Sequence, residues 1–307
     1  MTTAFVFPGQ GSQAVGMLSE SRDAVKPVFD RASESLGYDL WDLIQSGPED
    51  QLNATEFTQP ALLTASFALW TLTQDAGESV DYVAGHSLGE YSALVASQVI
   101  RFEDAVRLVQ KRGQLMQEAV PIGEGGMAAI MGLDDDDVLA ICESITAASE
   151  GSVEPANLNA PGQIVISGTQ DALEKACSVC LEKGAKRALP LNVSAPFHSR
   201  LMRSAADKMA EALSSVEFSS PLIPVVQNVT AAVVSDPARI RENLVTQMFE
   251  AVRWTESVRF LAAQDVTDMV ECGPGKVLSG LIKRIDKNVN TDQIGSAQAE
   301  RLSGQRS

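Results

Sequence analysis

Positive charge is scarce in this 307-residue chain: 24 Lys and Arg stand against 40 Asp and Glu, a formal charge of −16. A nucleic-acid binder presents a basic field, so that class is set aside. No apolar run approaches the roughly 20 residues that a membrane-spanning helix needs. The first apolar run, 2–7, stops at Pro8-Gly9; it has no basic start and is too short for a signal peptide. A soluble cytoplasmic protein is expected, with neither membrane nor nucleic acid as partner. Cysteine is also sparse. Cys142, Cys177, Cys180 and Cys272 are too few for a disulfide framework. Cys177 and Cys180 form a C-x-x-C, but inside 171–183, which reads as one amphipathic helix with no histidine near it in sequence. Buried structural thiols are expected there rather than a redox or metal pair. Histidine is rarest: only His86 and His198 are available as an imidazole base.

What is present is globular in composition, with 45% apolar and 21% charged residues and no internal repeat. Strand patterns at 4–7 and 82–85 alternate with helix patterns at 23–36, 60–74, 88–96 and 102–119. That alternation predicts a parallel sheet covered by helices. From Met127 the order changes to strand 127–132, helix 135–148, strands 152–158 and 163–167, helix 171–183 and strand 186–191. This β-α-β-β-α-β order is ferredoxin-like. The first texture resumes through 225–227 and 269–271. The expected fold is α/β: a hydrolase-like parallel-sheet core (1–122 and 193–307) with an inserted ferredoxin-like α+β subdomain (123–192). A cleft between them is the expected site. The polar last dozen residues are expected to fray.

Gly85-His86-Ser87-Leu88-Gly89 follows a strand and opens a helix, the context that a G-x-S-x-G nucleophile elbow requires. The glycines let the turn close, and the helix start brings N–H groups near the hydroxyl. The plainer alternative is that Ser87 is an N-cap, with Glu90 completing a capping box. A serine nucleophile needs a base. Side chains diverge at a sharp elbow, which disfavours His86. His198 sits in Ser194-Ala195-Pro196-Phe197-His198-Ser199, a loop at the domain junction facing the cleft, ahead of a helix at 199–213. No acid completing a triad is evident. An H-G-G-G oxyanion sequence and an Asp-Gly dipeptide are both missing, so simple esterase and patatin-like readings each lack a part. In helix 102–119, Arg112 falls on the apolar stripe with Leu108, Val109 and Met116. A guanidinium there needs an internal ion pair or a bound anion, such as a substrate carboxylate gripped bidentately. The Gly-rich turn after the first strand, 7–13, lies at the sheet edge where α/β ligands bind but lacks dinucleotide spacing. A helix at 275–287 sets Lys276, Lys283 and Lys287, with Arg284 beside them, against an apolar face. It is either a solvated face or a dock for an acidic partner.

In combination, F-V-F-P-G-Q-G-S-Q at 5–13, G-H-S-L-G-E-Y at 85–91, R-G-Q-L-M-Q at 112–117, P-F-H-S at 196–199 and G-P-G-K at 273–276 resemble the malonyl-CoA:acyl carrier protein transacylases, in the freestanding bacterial form of fatty acid synthesis. The likeness covers nearly the whole chain. It implies that Ser87 takes the malonyl group as an ester, that His198 is base and then acid, and that Arg112 holds the malonyl carboxylate. It further implies an oxyanion hole from the backbone N–H groups of Gln10 and Leu88, and a main-chain carbonyl of Gln247 orienting His198. Malonyl-CoA is then the substrate and the phosphopantetheine of an acyl carrier protein the acceptor, with no tightly bound cofactor and no metal. The carrier would dock transiently, with Lys276, Lys283, Arg284 and Lys287 as candidate contacts, on a monomeric enzyme. Glu250-Ala251 stands before Val252-Arg253-Trp254 where relatives often show Asn-Pro or Ser-Pro, which bears on the loop carrying Gln247. The alternatives are a serine esterase or thioesterase, an acyltransferase for another extender such as methylmalonyl-CoA, or a non-catalytic acyl or carrier binder.

Overall fold

The computed structural model describes residues 2–148, 151–193 and 195–295. The C-terminal stretch expected to fray, and Ser194, lie outside them. Among the described residues, ten strands run in chain order: β1 (Thr2–Phe7), β2 (Tyr82–Gly85), β3 (Gly125–Met131), β4 (Val153–Ala160), β5 (Gln163–Thr169), β6 (Arg187–Pro190), β7 (Val225–Gln227), β8 (Ala232–Val233), β9 (Val266–Cys272) and β10 (Asn290–Ile294). They form two sheets. The larger has the order β10-β9-β1-β2-β7-β8 and is parallel except for the β7–β8 pair. The smaller is antiparallel, β4-β5-β3-β6.

Side chains alternate between the two faces of β1, and both faces are buried from Ala4 to Phe7, which is why those four residues are all apolar. Phe5 and Phe7 point to one face, where their rings meet Trp70 edge-on at 5.4 and 6.0 Å. Ala4 and Val6 point to the other and join a core with Trp254, Val258 and Ile282. Helices therefore cover both faces, and the C-terminal strand ends are left as the open edge where a site can form. Beside it, helices Asp135–Ala148 and Gln170–Glu182 cover one face of the small sheet through Ile141, Cys142, Ile145, Leu173, Ala176 and Cys180. The thiols sit there as apolar side chains: burial pushes Cys142 up to about 12 and Cys180 up to about 11.

Beside the site, β4 of the small sheet is tied to the segment that follows helix Pro237–Gln247. Val252 N–H donates to Ala156 O and Leu158 N–H to Val252 O, both at 2.9 Å. The segment containing Glu250-Ala251 is thus pinned to β4, with no proline at either position. Several boundaries differ from the sequence reading. The helix expected at 60–74 spans Thr55–Asp75, because Pro60 is accommodated inside it and not at its start. That earlier start brings Gln59 onto a helix facing the site. The helix expected at 275–287 is confined to Val277–Ile285, and Glu271 accepts from the N–H groups of Leu278 and Ser279 at its start. Helix 199–213 is a 3-10 turn, Arg200–Met202, followed by Arg203–Ser214. Among the described residues, no helix is long and apolar enough to cross a membrane.

Candidate active site

β2 ends at Gly85, and a helix begins three residues later at Leu88 (Leu88–Ala96). Between them Ser87 has φ 51° and ψ −107°, a conformation that L-residues rarely adopt and that costs on the order of 1–3 kcal/mol. The glycines make the bend sterically feasible. A Cβ on Gly85 would fall 1.9 Å from the Gly89 carbonyl, and one on Gly89 would fall 2.0 Å from Phe7 O. Asn228, just past β7, braces the strained turn from beneath. Its Oδ1 accepts from Ser87 N–H at 2.7 Å, and its Nδ2 donates to Gly85 O at 2.6 Å. No capping box forms. Ser87 makes no side-chain cap bond, and Glu90 turns inward, where its Oε2 accepts from Asn228 N–H at 2.9 Å.

The Ser87 hydroxyl meets His198. Oγ and Nε2 lie 2.7 Å apart, and the other ring nitrogen, Nδ1, lies 2.7 Å from Gln247 O. A carbonyl can only accept, so the ring proton resides on Nδ1 and Nε2 is left to accept the Ser87 proton. Gln247 ends the helix Pro237–Gln247 and is fully buried, which fixes its carbonyl. Burial, and after it the charge on Arg112, push His198 down to about 3. The imidazole is therefore neutral, the state a base needs. His86 is turned elsewhere: its Nε2 is 2.7 Å from Asn159 Oδ1 on β4, and its ring lies against Trp254.

Arg112 comes from helix Phe102–Glu118 and is 1% exposed. Its Nη1 donates to Gln59 Oε1 at 2.9 Å. Its Nη2 donates to Gln247 Oε1 at 2.9 Å and to Ser87 Oγ at 3.2 Å. The guanidinium also faces the Tyr91 ring, while its Nε has no partner. None of the ion pairs among the described residues includes it. Burial accordingly lowers its pKa. A buried cation whose hydrogen bonds go only to neutral oxygens can still take up an anion.

These groups face a cavity of about 420 Å³, within the range for small-molecule sites. Gln10 and Leu88 line it with Ser87, His198 and Arg112; Met127, Leu191 and Val193 close it from the small-sheet side. The main-chain N–H groups of Gln10 and Leu88 have no acceptor among the described residues. Lys276, Lys283, Arg284 and Lys287 are all exposed, in and beside helix Val277–Ile285, and Arg284 reaches Gln163 on β5. Sequence reasoning missed Gln59 and Asn228, and it offered Glu90 only as the partner in the alternative capping box. Asn228 had one usable signal, its place just beyond a strand at the C-terminal sheet edge.

The acyl transferase domain family matches residues 4–298. The malonyl CoA-acyl carrier protein transacylase of Salmonella typhimurium is 56% identical over 301 residues, 96% of each chain. Among solved structures, an acyl carrier protein S-malonyltransferase from Vibrio cholerae superposes with a TM-score of 0.95 at 50% identity, covering 98% of this chain and all of that one. A malonyl-transacylase solved in complex with a type II polyketide synthase acyl-carrier protein has a TM-score of 0.95 at 47% identity, covering 99% of this chain and all of that one. With the likeness running the length of the chain in both sequence and backbone, the protein belongs to the malonyl-CoA:acyl carrier protein transacylase family of acyl transferases.

Proposed function

We propose that this protein transfers the malonyl group of malonyl-CoA to the phosphopantetheine thiol of an acyl carrier protein, through an ester on Ser87. One observation carries the reading: a Ser87–His198–Gln247 hydrogen-bond chain with Arg112, which is in none of the ion pairs among the described residues, only 3.2 Å from the nucleophilic oxygen. An esterase has no use for a buried cation at that distance; an acyl group ending in a carboxylate does.

The malonyl carboxylate accepts from Arg112 Nη2. Ser87 Oγ attacks the thioester carbonyl carbon as its proton passes to His198 Nε2. The Gln247 carbonyl holds the imidazolium through Nδ1–H, so no carboxylate is needed as the third member. The N–H groups of Gln10 and Leu88 stabilise the developing oxyanion. The C–S bond then breaks, and the proton on His198 passes to the CoA sulfur. In the second half the carrier's thiol gives its proton to His198 and attacks the ester carbon, and Ser87 recovers the proton as it leaves. Every proton and charge in this scheme is handled by a named residue, so it calls for no tightly bound cofactor. The scheme calls for no residue from a second copy of the chain, and in this reading the enzyme acts as a cytoplasmic monomer. In this reading residues 1–122 and 193–307 form the catalytic core, and the insert, 123–192, closes the cleft. Without an acceptor, malonyl-CoA should release one equivalent of CoA per Ser87 and stop. Continuous release would mark a hydrolase and overturn the proposal.

The pH dependence has a definite sign. His198 must be neutral to act, and its depressed pKa keeps it neutral well below pH 6.5. The acid limb of kcat/KM for Ser87 acylation therefore lies below the ordinary imidazole value of about 6.5. A bound malonyl carboxylate offsets the charge on Arg112, the second cause of the depression. The acid limb of kcat should then lie at higher pH than that of kcat/KM. Stopped-flow CoA release across pH reads both; a kcat/KM limb at or above 6.5 contradicts the assignment.

The exposed Lys276, Lys283, Arg284 and Lys287 supply a basic face on a chain of net charge −16, suited to an acidic carrier. The solved complex of a relative with its carrier supports a transient partner of that kind. Reversing Lys283 and Lys287 to Glu should raise KM for the carrier roughly tenfold at low salt, with the difference shrinking as salt screens it. Equal carrier KM at low salt would move the dock elsewhere.

A further inference from the structure

Among the described residues, Glu90 is the one acidic side chain hydrogen-bonded beneath the nucleophile, and the proposed reaction assigns it nothing. It sits one turn into the helix that Ser87 opens, 1% exposed. Its Oε2 receives two hydrogen bonds, from Asn228 N–H and from Gln247 Nε2, each 2.9 Å. Its Oε1 has no partner. Gln247 is the link outward. The same amide whose Nε2 points at Glu90 and at Ser87 O (3.0 Å) turns its Oε1 to Arg112 Nη2. An amide's two ends are nearly the same size, so shape alone does not choose between them. Here chemistry does: the guanidinium can only donate, and a carboxylate oxygen and a carbonyl accept. Reversing the amide would set N–H against N–H at Arg112 and oxygen against oxygen at Glu90.

We infer that Glu90 is a positioning residue for acyl-group selection: by fixing the Gln247 amide and the Asn228 backbone on one oxygen, it sets the Arg112 fork at the distance from Ser87 that a malonyl carboxylate requires. This rests on the function proposed above. Burial, opposed by the two donated hydrogen bonds and the charge on Arg112, raises Glu90 to about 7. A proton taken up would sit on the unpartnered Oε1 and leave Oε2 accepting, so the role is one of geometry in either protonation state. Glu90→Gln keeps an acceptor in that place, whereas Glu90→Leu removes it.

The test is the ratio of kcat/KM for Ser87 acylation by malonyl-CoA to that by acetyl-CoA. Glu90→Leu should lower this ratio about tenfold, in line with a weakened charge-assisted hydrogen bond, mainly through a higher KM for malonyl-CoA. Glu90→Gln should stay within about threefold of the wild type, inside the ordinary spread of such contacts. Gln247→Leu, which keeps the main-chain carbonyl on His198, should lower the ratio at least as far, and adding Glu90→Leu to it should change little, because the two act in series. Gln247→Leu also decides the matter if Glu90→Leu does not fold. The inference is overturned by equal losses on both substrates, by Glu90→Gln matching Glu90→Leu, by additive effects, or by an unaltered ratio in Gln247→Leu. A wild-type enzyme acylated no faster by malonyl-CoA than by acetyl-CoA overturns the proposed function and this inference with it. A malonyl-selective wild type with a substrate-blind role for Glu90 overturns the inference alone.

Discussion

Replacing Ser87 with Ala should leave no covalent adduct after incubation with malonyl-CoA and reduce transfer to the carrier by a factor on the order of 10⁴ or more. The hydroxyl is the only nucleophile within reach of His198 Nε2, at 2.7 Å, in the described site. The fold should survive, because the elbow is held by main-chain and Asn228 contacts that alanine keeps. Intact-protein mass and steady-state transfer read the two effects together. A variant that still carries the malonyl group would place the nucleophile elsewhere and remove the basis of the mechanism.

The second large effect is on acyl choice. Arg112→Ala should reduce kcat/KM for malonyl-CoA by roughly 10- to 100-fold, the loss of one charge-assisted hydrogen bond to a buried anion. Acetyl-CoA, which has no carboxylate, should lose far less. Acetyl transfer should improve relative to malonyl transfer, because the Arg112 charge, which after burial depresses His198, disappears with the side chain. Arg112→Lys should not restore the wild type. Lysine offers a point charge where Arg112 now divides its donors between Gln59, Gln247 and Ser87. The measurement is acylation of Ser87 by each thioester. Equal losses for both would mean that Arg112 supports the site without recognising the acyl group.

Much of this was legible because it is written locally. The elbow needs glycines at fixed offsets from a serine between a strand and a helix, and that pattern sits in five consecutive residues. Arg112 betrays itself by helical period: a guanidinium on the Leu108, Val109, Met116 stripe must be buried. The two-texture order of strands and helices gave the parallel sheet and the antiparallel one. What was not legible depends on distant partners or on the main chain. The carbonyl of Gln247 has no side-chain signature, and its position came from family likeness, not from the residues themselves. Asn228 acts 141 residues away from Ser87. Glu90 fits a capping-box spacing equally well, and only the packed helix shows it turned inward to Asn228 and Gln247. Gln59 was hidden by Pro60, which looks like a helix start but lies within the first two turns of Thr55–Asp75. The short helices Leu40–Ser46 and Glu49–Asn53 carry too few turns for a clear period.

The most direct measurement is intact-protein mass after mixing with malonyl-CoA, first alone and then with a phosphopantetheinylated carrier protein. The expected result is a single malonyl adduct on Ser87 that persists until the carrier is added and then appears on the carrier. An adduct lost to water without a carrier, or no adduct at all, would contradict malonyl transfer through Ser87.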